Sequence, residues 1–155
     1  MAKLQSNTAI NITKTWFQQP NGFTYPIKVR VPSIASLSGK RIPVAILLHG
    51  LGGNGEAELS SWDSQLPDHI IIAPTGYLNS WNVAHEESKA PDISFLQDLC
   101  NKLKTYENVD GTKIRIIGFS NGAALANRAY VSLDEPGVDQ IVTICLLYTS
   151  DAADE

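Results

Sequence analysis

Gly118-Phe119-Ser120-Asn121-Gly122 is the stretch in which residue types and spacing point to chemistry. A serine with a glycine two positions away on either side is the pattern of a nucleophile elbow, a sharp strand-to-helix turn that lifts a hydroxyl clear of a sheet. The glycines are needed because such a turn is strained and because strand and helix nearly touch across it. Both flanking elements are present. Ile114, Ile116 and Ile117 form an apolar run suited to a buried strand, and Ala123, Ala124, Leu125 and Ala126 favour a helix. A βα turn whose serine merely caps the helix is the competing reading of the same residues.

A second stretch could serve the same chemistry. Ile42 to Leu48 is a continuous apolar run, the signature of a strand buried on both faces, and it ends in His49-Gly50-Leu51-Gly52-Gly53-Asn54-Gly55. So many glycines after a buried strand let backbone N–H groups approach a ligand closely. In a serine esterase this is where half of the oxyanion hole lies, the other half being the amide after the nucleophile; here the donors are the Leu51 and Asn121 backbones. A phosphate-cradling loop is disfavoured, since neither the Gly-Lys-Ser/Thr of a P-loop nor the spacing G-x-G-x-x-G is present. His49 reads as the residue that holds this loop by hydrogen bonding, with a catalytic base as the alternative.

The remaining elements must position these two stretches. Residues 9–32 read as an antiparallel hairpin turning at Pro20-Asn21-Gly22. Residues 56–66 suggest a short helix and 69–73 a further buried strand, so that strand, helix and strand form a βαβ unit. The irregular stretch 78–90 carries Trp81, which could contact substrate from a loop at the carboxyl end of a parallel strand or simply cover the core edge. Asp92 is placed as the N-cap of a helix whose apolar stripe is Ile93, Phe95, Leu96, Leu99, Cys100 and Leu103. Residues 138–144 begin one more strand.

Bulk properties narrow the partners. With 155 residues, 43% hydrophobic and 18% charged, the chain describes one globular domain or part of one. The net charge of -4, with Lys and Arg dispersed, offers no footprint for nucleic acid or an anionic membrane. Cys100 and Cys145 lack metal-type spacing, so no zinc site is implied, and Cys100 is expected in the core. Residues 1–12 hold no apolar core of signal-peptide length and no segment approaches a membrane span, which read literally places the chain in the cytoplasm.

The ordered set of Pro43 to Leu48 with His-Gly-Leu-Gly-Gly-Asn-Gly, Ala73-Pro74-Thr75-Gly76, Trp81-Asn82, Asp92-Ile93-Ser94-Phe95-Leu96 and Gly-Phe-Ser-Asn-Gly resembles the α/β-hydrolase family, specifically its polyhydroxybutyrate depolymerase-like and feruloyl-esterase-like members. The resemblance covers most of residues 43–144. It implies an α/β fold with a mostly parallel sheet and an N-terminal antiparallel hairpin. It also implies Ser120 as nucleophile, Leu51 and Asn121 as oxyanion-hole amides, an ester as substrate, and no metal or organic cofactor. That family commonly has a second glycine where this chain has Ala123, and many of its members are secreted.

One departure is larger. The triad of this fold runs Ser, then Asp or Glu, then His, yet no histidine follows Ser120. Residues 145–155 read as the in-frame translation of a sequencing adapter, with a genuine acidic tail as the alternative. The expectation is therefore that residues 1–144 are the N-terminal part of one α/β-hydrolase domain, truncated after about the sixth strand, and that 145–155 are non-native.

Overall fold

The computed structural model describes residues 2–33, 39–134 and 137–144. The tail 145–155, with Cys145 and the question of its origin, lies outside the described residues. Ten regular elements follow one another: β1 (Thr13–Trp16), β2 (Gln19–Thr24), β3 (Ile27–Arg30), β4 (Ile42–Leu48), α1 (Gly55–Trp62), β5 (Ile70–Pro74), α2 (Asp92–Leu103), β6 (Val109–Phe119), α3 (Asn121–Ser132) and β7 (Gln140–Ile144). Strands β3 to β7 form one sheet in the order β3-β5-β4-β6-β7. Its last four are mutually parallel, and β3 pairs antiparallel to β5.

The continuous apolar runs have the role expected of them. Alternate residues of a strand face opposite sides of the sheet, so a strand covered on both faces needs apolar residues throughout. Val44, Ile46, Leu48, Ile70, Ile72, Ile114 and Ile116 belong to one core with the apolar stripes of α2 and α3. Ala45, Leu47, Ile71 and Ala73 face the other way, against Leu59 and Trp62 of α1. Cys100 is buried among the first set, and burial pushes its thiol up to about 11.

The strand order places the two chemical stretches side by side. From β4 the chain crosses to β5 on one side, then returns to lay β6 on the other, so the order reverses between β4 and β6. Ligands of open α/β sheets bind at such a reversal, outside the carboxyl ends of the strands. Leu48 pairs in register with Gly118, which brings the Gly-rich loop after β4 beside the Ser120 turn after β6.

Three expectations need correction. The hairpin exists, but it turns at Phe17-Gln18, with Trp16 opposite Gln19. Pro20-Asn21-Gly22 lies inside β2, where a register irregularity and the positive φ of Gly22 (100°) absorb the residues that suggested a turn. The following segment, Ile27–Arg30, joins the main sheet as β3. The described strands therefore number seven where about six were expected. Asp92 is the first residue of α2 and not its N-cap, that position being Pro91; its carboxylate faces inward instead.

Candidate active site

Ser120 sits between β6 and α3 with φ 55° and ψ -113°, a conformation that L-residues rarely adopt. It occupies the N-cap position of α3, yet its side chain makes no capping hydrogen bond, so the simple capping role does not account for it. The strain is held by close packing. A Cβ at Gly118 would overlap Gly122 O and lie 2.7 Å from Ala123 Cα, and one at Gly122 would overlap Leu48 O and lie 2.6 Å from His49 O. The backbone N–H of Ser120 donates to Ile144 O at 2.8 Å, tying the turn to β7. The Ser120 hydroxyl is half-buried and makes no hydrogen bond among the described residues.

The Gly-rich loop packs directly on this turn, since a Cβ at Gly50 would stand 3.1 Å from the Phe119 ring. Gly52 N–H donates to Asn79 O at 2.8 Å, and Gly53 N–H to Gly50 O at 3.0 Å. The N–H groups of Leu51 and Asn121 donate to no backbone or side-chain group among the described residues. Two unpaired amides thus follow the carboxyl ends of neighbouring strands, Leu51 in the loop after β4 and Asn121 within the elbow after β6.

His49 is fully buried, with its ring 4.8 Å from that of Trp81. Gly76 N–H donates to its Nε2 at 3.0 Å, which leaves the proton on Nδ1 to be donated to Gly50 O at 2.7 Å. Burial lowers its pKa against the smaller effect of Gly50, so the ring is neutral and both nitrogens are occupied. This is the loop-holding role. His69 precedes β5, at the opposite end of the sheet from Ser120, against Arg115. His85 is exposed and has no hydrogen bond to Ser120. The three histidines of the chain therefore leave Ser120 without a basic partner among the described residues.

Trp81 is fully buried, and its indole N–H donates to His49 O at 2.9 Å. Of the two readings of Trp81, substrate contact or cover for the core edge, a side chain with no exposed surface agrees with the second. Its backbone is equally fixed: Trp81 N–H donates to Asn121 Oδ1 at 2.7 Å, and Asn121 Nδ2 donates to Trp81 O at 3.1 Å and to Glu86 Oε2 at 3.2 Å. The side chain of Asn121 thus clamps the 81–86 loop to the helix start whose amide is left free.

Asp92 completes the frame. Its Oδ1 accepts from Tyr25 Oη at 2.6 Å and its Oδ2 from Asn82 N–H at 2.7 Å. Burial raises its pKa to about 6 against these hydrogen bonds. Burial pushes Glu86 upward too, but the N–H groups of Ala84 and Val83, which donate to Oε1 at 2.7 and 3.0 Å, outweigh it and hold that carboxyl below its usual range. Gln18, at the hairpin turn, accepts from Lys89 N–H and donates to Glu87 O. Gln18 and Asn79 were not legible as supports, because each acts on a loop distant in sequence, and Glu86 was not because its bond to Asn121 spans 35 residues. Among the described residues no group of His, Cys, Asp or Glu could hold a metal ion, and no helix is long and apolar enough to cross a membrane.

No protein-family model matches the chain. A non-reducing polyketide synthase, ausA of Penicillium brasilianum, is 26% identical over 137 aligned positions, which span 77% of this chain and 5% of that protein. Among solved structures, a carboxylesterase from Bacillus cereus matches with a TM-score of 0.57 and 20% identity over 77% of this chain and 58% of its own. LpqC, a poly(3-hydroxybutyrate) depolymerase from Bordetella parapertussis, matches with a TM-score of 0.60 and 18% identity over 76% of this chain and 45% of its own. The chain spans about half the length of these two structures. With the sheet order and the strand-turn-helix at Ser120, these matches show that the chain has the α/β-hydrolase fold, as the sequence resemblance implies.

Proposed function

We propose that this α/β-hydrolase-fold chain is the N-terminal part of a serine esterase in which Ser120 is the nucleophile. The observation that carries the reading is a serine in a strained conformation, free of any capping bond, beside two amides without partners at the sheet's point of reversal. Ser120 Oγ attacks the ester carbonyl carbon, and the oxyanion that forms accepts from Leu51 and Asn121 N–H. Collapse of this intermediate expels the alcohol and leaves an acyl group on Ser120, which water then removes. The depolymerase and the carboxylesterase among the structural matches support a carboxylic ester as substrate, a polyester or a feruloyl-type ester included.

The proton of Ser120 needs a base, and neither His49, with both nitrogens bonded, nor His69, at the far end of the sheet, is available to take it. We place the triad acid and base beyond residue 144 of the natural sequence, so the chain as it stands turns over esters at close to the background rate. The test is to read the source DNA past the codon for Ile144 and to assay the chain on an activated short ester. Further strands bearing an Asp and then a His support the proposal. A hydrolytic rate abolished by Ser120→Ala contradicts the inactive part of it and reopens His85 as base.

Transfer of the acyl group to an acceptor other than water uses the same residues and is the second reading, favoured by the synthase among the sequence relatives. A non-catalytic binding module, favoured by the missing base, is the third.

A further inference from the structure

The sequence holds three Asn-Gly pairs, Asn21-Gly22, Asn54-Gly55 and Asn121-Gly122. Such a pair can react within itself. The backbone nitrogen of the glycine attacks Cγ of the Asn side chain, the N–H proton departs with the side-chain nitrogen as ammonia, and a five-membered succinimide closes. Glycine favours the step because no Cβ shields its nitrogen. Water then opens the ring at either carbonyl, giving aspartate or isoaspartate. The fold decides which pair reacts, since the side chain must be free to swing onto the chain, the backbone must not be locked, and water must reach it.

Two of the pairs are held. Asn54 Oδ1 accepts from Ala57 N–H at 2.8 Å as the cap of α1, and Gly55 N–H donates to Thr75 Oγ1 at 2.8 Å. Asn121 is buried, and its side chain is bonded to Trp81 N–H, Trp81 O and Glu86. Ring closure at either site must first break these bonds.

Asn21-Gly22 is built differently. Asn21 is exposed, and its side chain makes no hydrogen bond among the described residues. In the hairpin Lys14 pairs with Phe23 and Trp16 with Gln19, so Pro20, Asn21 and Gly22 stand together opposite the single Thr15. The pair therefore lies in a bulge, outside the register that holds the rest of β2. Two anchors on one ring flank this bulge. Gln19 Nε2 donates to Tyr77 Oη at 3.1 Å, and the Phe23 ring stands 5.3 Å from that of Tyr77. Tyr77 in turn opens the 77–80 turn, which Asn79 fastens to the Gly-rich loop through Gly53 O at 2.9 Å and Gly52 N–H at 2.8 Å.

We infer that Asn21-Gly22 is a site of spontaneous succinimide chemistry in the folded protein, and that its isoaspartyl product loosens the hold of β2 on Tyr77. Isoaspartate routes the chain through the former side chain and adds one carbon to the backbone between Gln19 and Phe23, which changes the spacing of the two anchors. Each product also carries one more negative charge than the parent. The inference does not depend on the esterase reading.

The test is to incubate the full chain at mildly alkaline pH, once folded and once in concentrated urea, and to locate aspartate and isoaspartate by peptide mass spectrometry. In urea the three pairs should convert at similar rates, because the local sequence alone then governs them. In the folded chain position 21 should convert at least about tenfold faster than positions 54 and 121, whose reaction waits on local opening. Asn21→Gln should suppress conversion at 21 without unfolding the protein, since this side chain holds nothing in place. The isoaspartyl form, separated from the parent by ion exchange, should show faster hydrogen exchange across 77–80 and unchanged exchange across β4 to β6.

No conversion at position 21 of the folded chain, or equal conversion at 54 and 121, overturns the assignment of the site. Unchanged exchange across 77–80 in the isoaspartyl form overturns its coupling to Tyr77.

Discussion

The residue that decides the proposal is Ser120, and what sets it apart is backbone geometry before any side-chain partner. Its positive φ is possible only because Gly118 and Gly122 let α3 approach β6 and β4 within carbon–oxygen contact. Gly122→Ala must push α3 off Leu48 and His49, and is expected to destabilise the fold by about 2 kcal/mol or more, measured by urea denaturation. A variant as stable as the parent would mean that the turn is not packed as described. Asp92 yields a second residue-scale expectation. Burial raises its folded-state pKa from 3.8 to about 6, so the folded protein holds this proton more tightly than the unfolded chain. Its contribution to stability is thus full below about pH 4 and falls as the pH rises to 6, by about 3 kcal/mol. Glu86, whose pKa is lowered, acts in the opposite sense. The comparison is therefore with Asp92→Asn, which should flatten the fall between pH 4 and 6; parallel stability curves for the two proteins would contradict it.

At the scale of elements, the account turns on how the 77–90 segment is fastened. Asn121 does this with three side-chain hydrogen bonds from the first residue of α3, while its own N–H stays free. Asn121→Ala keeps the amide but leaves the Trp81 N–H and C=O buried and unpaired. It should cost about 3 kcal/mol and speed hydrogen exchange across 81–86 more than across β4 to β6. Uniform exchange changes would show that the clamp is not local. Here the limits of sequence reading are physical. The β4, β5, α2, β6 and α3 patterns were legible because long apolar runs and a helical stripe reflect burial directly. The turn at Phe17-Gln18 was not, because Pro20-Asn21-Gly22 has the stronger local preference and was overridden by the pairing of Phe23 and Thr24 with Lys14 and Thr13. Asp92 was read as a cap because capping is the commonest local use of that residue there; its bond to Tyr25 spans 67 residues and leaves no local trace. For Trp81 the sequence left substrate contact and core cover open, because its bonds to His49 and Asn121 are equally distant in sequence.

For the whole molecule, the uncovered part of the sheet matters most. On the side of α1, that helix packs on β3, β4 and β5, whereas β6 and β7 present the exposed Phe119 and Val142. β7 is also the edge strand of the described sheet. An apolar edge of this kind pairs readily with another chain. The protein is expected to self-associate as its concentration rises, and Val142→Lys to suppress this in sedimentation velocity; a parent chain that stays monomeric and soluble would refute it. The chain spans about half the length of the two structural relatives.

The central claim, that Ser120 is a nucleophile served by the Leu51 and Asn121 amides, is tested most directly with a serine-directed phosphonate whose adduct is located by peptide mass spectrometry. Even without a base, an oxyanion hole retains on the order of 10³-fold acceleration over water. The account predicts slow labelling that is faster at Ser120 than at any other serine and absent at that position in Ser120→Ala. Labelling spread evenly over exposed serines, or unchanged in amount by Ser120→Ala, would contradict it.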